Sequence, residues 1–427
     1  MKPLLVALKG KGLSNLARRS LTLVRRYGLT AGKMADALRQ FAVALRPFEC
    51  SATFPITAEV LGRNPRIIQE LQAQGIEFAI HGYRHVDHSL LSLSEQLAWL
   101  SAARQVFART SIEAHGFRCP YFRWNTGTAA ALQQHGLLYD SSQTLAWDVL
   151  NRQETPAYLH ALNFYGARSA TQYPSLPSFK DNLVRIPCSL PDDEALVERL
   201  ALDTSDQMSD LWLAILRRTC ELGELFTVGL HPGRIGPCQT ALISVLTQAR
   251  SLTPAVWIAR LDEIAAWWRD RTGTAITVTN LAGEQLRLQV VGPTGTTVLA
   301  RAVQADAVTK SWADGYQRVD AMTFTVRCPV RPFIGLSPSS SPKLAGFLRQ
   351  QGYIVETVQA NYNYSYYLDQ AEFTAEHERI VLAQIDGTDR PLLRLGRWPN
   401  GAHSALAITG DIDALTLWDY GLRLTGK

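Results

Sequence analysis

The 427-residue sequence predicts an α/β fold over its first two-thirds, followed by a β-rich part. Three observations carry that expectation. Apolar runs of strand length alternate with segments of helical period. Polar residues stand directly after several of the strand-like runs, which is where α/β proteins place their chemistry. Past Gly273 the texture changes to alternating segments punctuated by Gly and Thr, the pattern of antiparallel sheet.

Taken in order, residues 14–26 and 31–45 have helical period, the second with Thr30 as its cap. Residues 51–57 read as a short strand. Asn64 and Pro65 open a helix through Gln74 that Gly75 stops. Residues 76–80 form a strand that runs into His81. A helix from Ser94 to Ala108, a strand and loop over 115–121, and a helix over 127–134 follow, then a strand over 137–139 that ends at Asp140. Residues 151–180 are rich in turn formers and aromatics and read as an irregular excursion. A strand over 183–186 precedes Pro191, Asp192 and Asp193, and residues 208–220 are helical. The apolar strand 225–230 ends at His231, and residues 260–271 form the last helix of this part. Alternating segments such as 275–279 and 286–290 give antiparallel sheet up to about residue 330, and 332–336, 341–350 and 353–358 make one more strand, helix and strand unit. Tyr362, Tyr364, Tyr366 and Tyr367 suit either an aromatic platform for sugar rings or ordinary packing.

Composition bounds the function. With 46% hydrophobic and 19% charged residues the chain can bury a large core and is not disordered. The formal charge of +5 comes from 43 basic and 38 acidic residues, and Lys9, Lys11, Arg18, Arg19, Arg25, Arg26 and Lys33 all precede the first acid, Asp36. That segment suits contact with an anionic membrane surface or a phosphorylated substrate, and equally the solvated face of a helix. No nucleic-acid-reading motif is present. Six scattered cysteines include no CxxC pair, so a thiolate zinc site and a disulfide framework are not expected. The first apolar run is too short for a signal peptide, and a cytoplasmic protein, with peripheral contact at the inner membrane face as an option, is the expectation. Composition leaves a homo-oligomer open.

The chemistry-bearing residues are split between the two ends of the chain. His81 and His85 are four apart, so both imidazoles can face one point and hold a divalent ion with a third, carboxylate ligand. The spacing alone is weak evidence. His88 is close by but off the spacing, and reads as a residue just outside the ligand set or at the surface. Near the other end, Asp411 and Asp413 follow the apolar run 405–409 and Gly410, a pattern that also fits a turn or a cap.

These segments resemble the polysaccharide deacetylases of the NodB-homology group, carbohydrate esterase family 4. The resemblance rests on residues 52–62, Asn64 and Pro65, Leu71, Gly75, His81-Gly-Tyr-Arg-His85 and the helix start at Leu93 and Ser94. It extends to Phe117-Arg-Cys-Pro-Tyr121, Leu230-His-Pro232 and Thr409-Gly-Asp-Ile-Asp413. The family places its aspartate motif first, whereas here it lies at the C-terminus. The resemblance therefore implies a distorted (β/α) barrel that is circularly permuted, with residues 1–273 as its main part and 401–427 as the strand that completes it. Residues 274–330 are then an inserted β-rich domain and 331–400 a small α/β region.

The resemblance also implies roles. His81, His85 and Asp413 would hold a divalent metal, zinc first, with cobalt, nickel or iron as substitutes. Asp411 would act as base, Arg118 would orient it, and His231 would act as acid. Asp193 or Asp140 would hold His231, ahead of Asp148 and Asp192. Tyr121 would bind substrate by adding its backbone donor to the oxyanion site, and Trp124 and Trp147 suit either the walls of the sugar pocket or the core. The implied activity is hydrolysis of N-acetyl groups on an amino-sugar glycan or its precursor. Hydrolysis of a non-sugar amide or cyclic imide, a small-amide substrate, and an inactive carbohydrate-binding protein are the alternatives, as is a site completed by aspartates from a neighbouring subunit.

Overall fold

The computed structural model describes residues 26–359 and 363–425. The helix expected over 14–26, all but Arg26 and Lys33 of the basic cluster, and Tyr362 lie outside the described residues.

The main sheet is built from β1 (Thr53–Ile56), β2 (Glu77–Ile80), β3 (Gly116–Phe117), β4 (Tyr139–Asp140), β5 (Ser178–Lys180), β6 (Leu183–Arg185), β7 (Leu225–Gly229), β8 (Val256–Ile258) and β9 (Ser404–Thr409). Its spatial order is β7-β9-β1-β2-β3-β4-β6-β5, with β8 also pairing β9. All neighbours are parallel except β5 and β6. The sheet curls without closing, which makes a distorted, permuted (β/α) barrel with insertions. Its centre is supplied from the end of the chain, because β9 lies between β7 and β1.

β9 explains why the sheet holds together. All six of its residues are buried, as a parallel strand covered on both faces requires. Leu406 and Ile408 face one core with Phe54 and Phe226, while Ala405 and Ala407 face a second with Trp268 and Trp398. That alternation is the period of two of an extended chain. Gly410, just beyond, passes so close to the next strand that a Cβ there would lie 1.9 Å from the Leu230 carbonyl oxygen, so only glycine fits.

Several boundaries differ from the sequence expectation. The helix Gly32–Leu45 is capped at Ala31 without a side-chain bond, not by Thr30. The excursion over 151–180 contains the helix Pro156–Tyr165, whose N-cap is the Thr155 hydroxyl and whose stop is Gly166 in a left-handed conformation. Four helices, Ala58–Arg63, Ile235–Ser251, Ala375–Asp386 and Leu417–Thr425, were not expected. In the second, Gly236 and Pro237 look like breakers but fall in the first turn, where proline costs no internal hydrogen bond.

The inserted residues form two four-stranded antiparallel sheets and a three-stranded parallel one. In the last, Arg331–Leu336 lies between Val355–Thr357 and Tyr364–Leu368, with the helix Pro342–Gln350 as crossover. Leu392–Leu395 pairs with Val298–Arg301 and so joins the α/β part to the β-rich part. Tyr366 is no sugar platform, since it is buried with its hydroxyl on the Ile385 carbonyl.

Candidate functional site

Parallel strands bring their C-terminal ends to one rim, and the residues just past β2, β3, β7 and β9 meet there. Ile412 pairs with Ile56 and its N–H donates to the Pro55 carbonyl, so the chain beyond β9 stays in register with β1. This places Asp411 and Asp413 beside the His81 loop. One ligand atom each from His81, His85 and Asp413 lies within 4.8 Å of the others.

Arg118 orients both halves of this cluster. Its backbone carbonyl sits 2.8 Å from His81 Nδ1. A carbonyl only accepts, so Nδ1 carries the proton and Nε2 presents a lone pair. That lone pair faces Asp413 Oδ1 at 3.5 Å and Asp411 Oδ2 at 3.6 Å. Three electron-rich atoms thus converge with no donor between them, and His81 Nε2 and Asp413 Oδ1 are buried without a hydrogen-bond partner. His85 Nε2 adds a fourth direction, 3.3 Å from Asp413 Oδ1. A divalent cation satisfies this donor set. The guanidinium of Arg118 meanwhile donates to Asp411 Oδ1 at 2.9 Å and to Thr409 Oγ1 and Ser141, and is itself almost fully buried.

Electrostatics keep the ligands in binding form. Burial and then the neighbouring Arg423 cation push His85 down to about 3, so its imidazole is neutral. Burial alone would raise the Asp413 carboxyl, but Arg423 and the two histidines hold it well below the usual carboxylate range. Arg423 binds Asp413 Oδ2 directly, which leaves Oδ1 as the free ligand atom. The sequence reading missed Arg423; its only signal is a position ten residues past Asp413, on the buried side of the C-terminal helix Leu417–Thr425.

His231 follows β7, whose Gly229 pairs with Thr409, and Gly410 packs on the Leu230–His231 peptide. Its Nδ1 is 2.7 Å from Asp193 Oδ1, and Arg234 donates to the other oxygen of that carboxylate at 3.1 Å. Burial disfavours the imidazolium, but Asp193 overrides this and raises His231 above its ordinary value. Asp140 does not reach His231; it accepts from the Ser142 backbone N–H and hydroxyl. Asp148 is exposed, and Asp192 accepts from the Ala195 N–H.

Tyr121 sits in the turn Pro120–Phe122, where it and Phe122 both have positive φ, at 58° and 56°. Such backbone is strained for aromatic residues and is held by packing. The Tyr121 ring meets His85 edge-on at 4.3 Å and lies under Arg423. Trp124 is half-buried beneath Arg185. Trp147 is a core residue whose indole N–H donates to Ser189 Oγ. His88 is no surface residue: it is buried against Phe117 at 5.4 Å.

A curled α/β sheet with a His, His and Asp cluster at its strand ends defines a metal-associated hydrolase fold. Residues 30–139 match the family model for polysaccharide deacetylase. The chain therefore carries a polysaccharide deacetylase-like domain of the NodB-homology type, whose matched stretch holds both histidines and whose aspartates return from the C-terminus. No curated protein sequence matches. Solved structures that are similar include candidate polysaccharide deacetylases from Pseudomonas aeruginosa PAO1 and from Mycobacterium smegmatis. The first is 20% identical, over 55% of this chain and 72% of that one, with a TM-score of 0.44. The second is 20% identical, over 65% of this chain and 91% of that one, with a TM-score of 0.45. A Puue allantoinase is 19% identical over 55% and 72%, with a TM-score of 0.44.

Proposed function

We propose that this protein removes N-acetyl groups from an amino-sugar glycan or glycan precursor, using a divalent metal, zinc first, held by His81, His85 and Asp413. The observation that carries the reading is the convergence of His81 Nε2, Asp413 Oδ1 and Asp411 Oδ2 on one unshared point, with Arg118 and Asp193 fixing the residues around it.

The bound ion supplies Lewis acidity toward the acetyl carbonyl and makes water more acidic. Asp411, held by Arg118, takes a proton from the attacking water. His231 stands on the neighbouring strand end and donates a proton to the departing sugar amine as the C–N bond breaks, leaving acetate. Asp193 accepts from its Nδ1–H and stabilises the imidazolium, whose Nε2–H is the proton given to the leaving amine. The buried walls at Tyr121 and His85 exclude bulk water from this step.

The test is acetate release from N-acetylglucosamine oligomers by purified protein loaded with zinc, cobalt or nickel. Asp413→Ala is expected to lose both stoichiometric metal and activity. His231→Ala should keep the metal and lose about 100-fold or more in kcat, the range for a lost general acid. Absence of acetate release by fully metallated wild type sinks the reading. No helix among the described residues is long and apolar enough to cross a membrane.

A further inference from the structure

The open edge of the barrel carries a second cleft that the metal chemistry does not use. It lies between β5, β6 and the loops around them on one side and the inserted α/β unit on the other, with a volume of about 580 Å³. The inserted helix Pro342–Gln350 docks there, where the Gln350 side-chain amide accepts from the Phe179 N–H and donates to its carbonyl.

The lining is cationic. Arg168, Arg185 and Lys343 face this cleft, and among the described residues none of them has an ion-pair partner. The one acid in the lining, Glu378, is pushed up to about 7 by burial, against the pull of Arg168. It therefore offsets part of one charge near neutral pH and leaves the lining net cationic. Phe347 and Phe373 supply apolar faces, and Gln351, 2% exposed, has an Oε1 without a hydrogen-bond partner, an acceptor suited to a hydroxyl. Cations, apolar ring faces and a free acceptor together fit a sugar that bears an acidic group better than they fit a neutral one.

The register ties the cleft to the metal centre. Ile80 pairs with Phe117, Phe117 with Asp140 and Asp140 with Arg185. Arg185 thus stands on the same rim as His81, three strand spacings or roughly 14 Å away. The ring of Trp124 faces the Arg185 guanidinium at 5.0 Å.

We propose that this cleft is a binding subsite for an anionic stretch of glycan, so that the substrate is an acidic N-acetylated polysaccharide held across the rim. This rests on the deacetylase reading of the metal centre. The test compares binding of hyaluronan oligosaccharides, which alternate uronate and N-acetylglucosamine, with neutral N-acetylglucosamine oligomers of matched length. Titration calorimetry is run on metal-loaded wild type, Arg168→Ala/Lys343→Ala and Asp413→Ala, with inorganic phosphate as a competitor that separates recognition of carboxylate sugars from that of phosphate alone.

The acidic oligosaccharide should bind at least tenfold tighter than the neutral one. Loss of both surface cations should remove about tenfold of that affinity, the worth of one charge-assisted contact, with unchanged circular dichroism. Equal binding of the two oligosaccharides, no effect of the double variant, or binding of phosphate with neither oligosaccharide bound each overturns the proposal. Asp413→Ala separates the two readings. Acidic oligosaccharide bound by that variant, with no acetate released by wild type, removes the deacetylase reading and leaves the subsite. Deacetylation of neutral oligomers without an acidic preference does the reverse.

Discussion

At the scale of single residues, the pairing of His231 with Asp193 makes a claim about pH. The carboxylate raises the folded-state pKa of His231 above 6.5 and is itself lowered below 3.8, since His231 and Arg234 outweigh its burial. The histidine's stabilising contribution is complete below 6.5 and is lost as pH rises through the raised value. The aspartate's contribution is present above 3.8 and is lost as pH falls through the lowered one. The pair therefore stabilises most between those limits. Asp193→Asn should cost most in melting temperature near the middle of that window. The limb of the pH–rate profile that needs protonated His231 should also move to lower pH, because the charge that held the proton is gone. A basic limb that stays in place would show that His231 is not the titrating acid. Both residues were among the sequence candidates, but the choice between Asp193 and Asp140 was not legible. Each follows a strand, and the folded sheet decides between them by putting Asp140 on β4, away from β7, and Asp193 against His231.

At the scale of elements, Glu77 shows how the end of the barrel opposite the site is fastened. Its carboxylate accepts from Thr53 Oγ1 of β1 at 2.5 Å, from the Tyr139 hydroxyl of β4 at 2.7 Å, and from the Asp262 N–H at 3.1 Å. Asp262 lies in the first turn of the helix Leu261–Asp270. One side chain thus joins three strands and a helix start. Glu77→Ala leaves three donors unsatisfied in a buried setting, and should cost about 3 kcal/mol or more in chemical denaturation. Metal content should be unchanged, since the site lies at the other ends of these strands. A loss under 1 kcal/mol would mean that water replaces the carboxylate at this point. The sequence marked most strands because apolar runs report burial directly. It was poorer where a breaker residue sits inside a first turn, as in Ile235–Ser251, or where a side chain acts from a distant helix. Arg423 is of the second kind: its partner is Asp413, and nothing in a run of residues near the C-terminus says which face of the last helix will meet the cluster.

At the scale of the whole molecule, the permutation changes what a truncation does. A catalytic domain followed by an appendage would survive removal of its tail. Here residues 404–409 are the strand between β7 and β1, buried throughout, and they pair with three other strands. The tail also carries both aspartates, and the helix beyond them ties back through Asp419 to Arg63 at 2.7 Å. A chain ending at residue 400 would expose the edges of β1 and β7 together with both cores that β9 separates, an arrangement prone to edge pairing between molecules. It should therefore lose cooperative unfolding and aggregate, rather than persist as a folded protein lacking metal. Asp411→Ala/Asp413→Ala in the full chain is the matched control: it removes the same carboxylates, and should melt cooperatively without binding metal. If the truncated chain instead keeps native-like near-ultraviolet circular dichroism and sharp thermal unfolding, β9 is an accessory strand. The sheet would then be complete without the end of the chain.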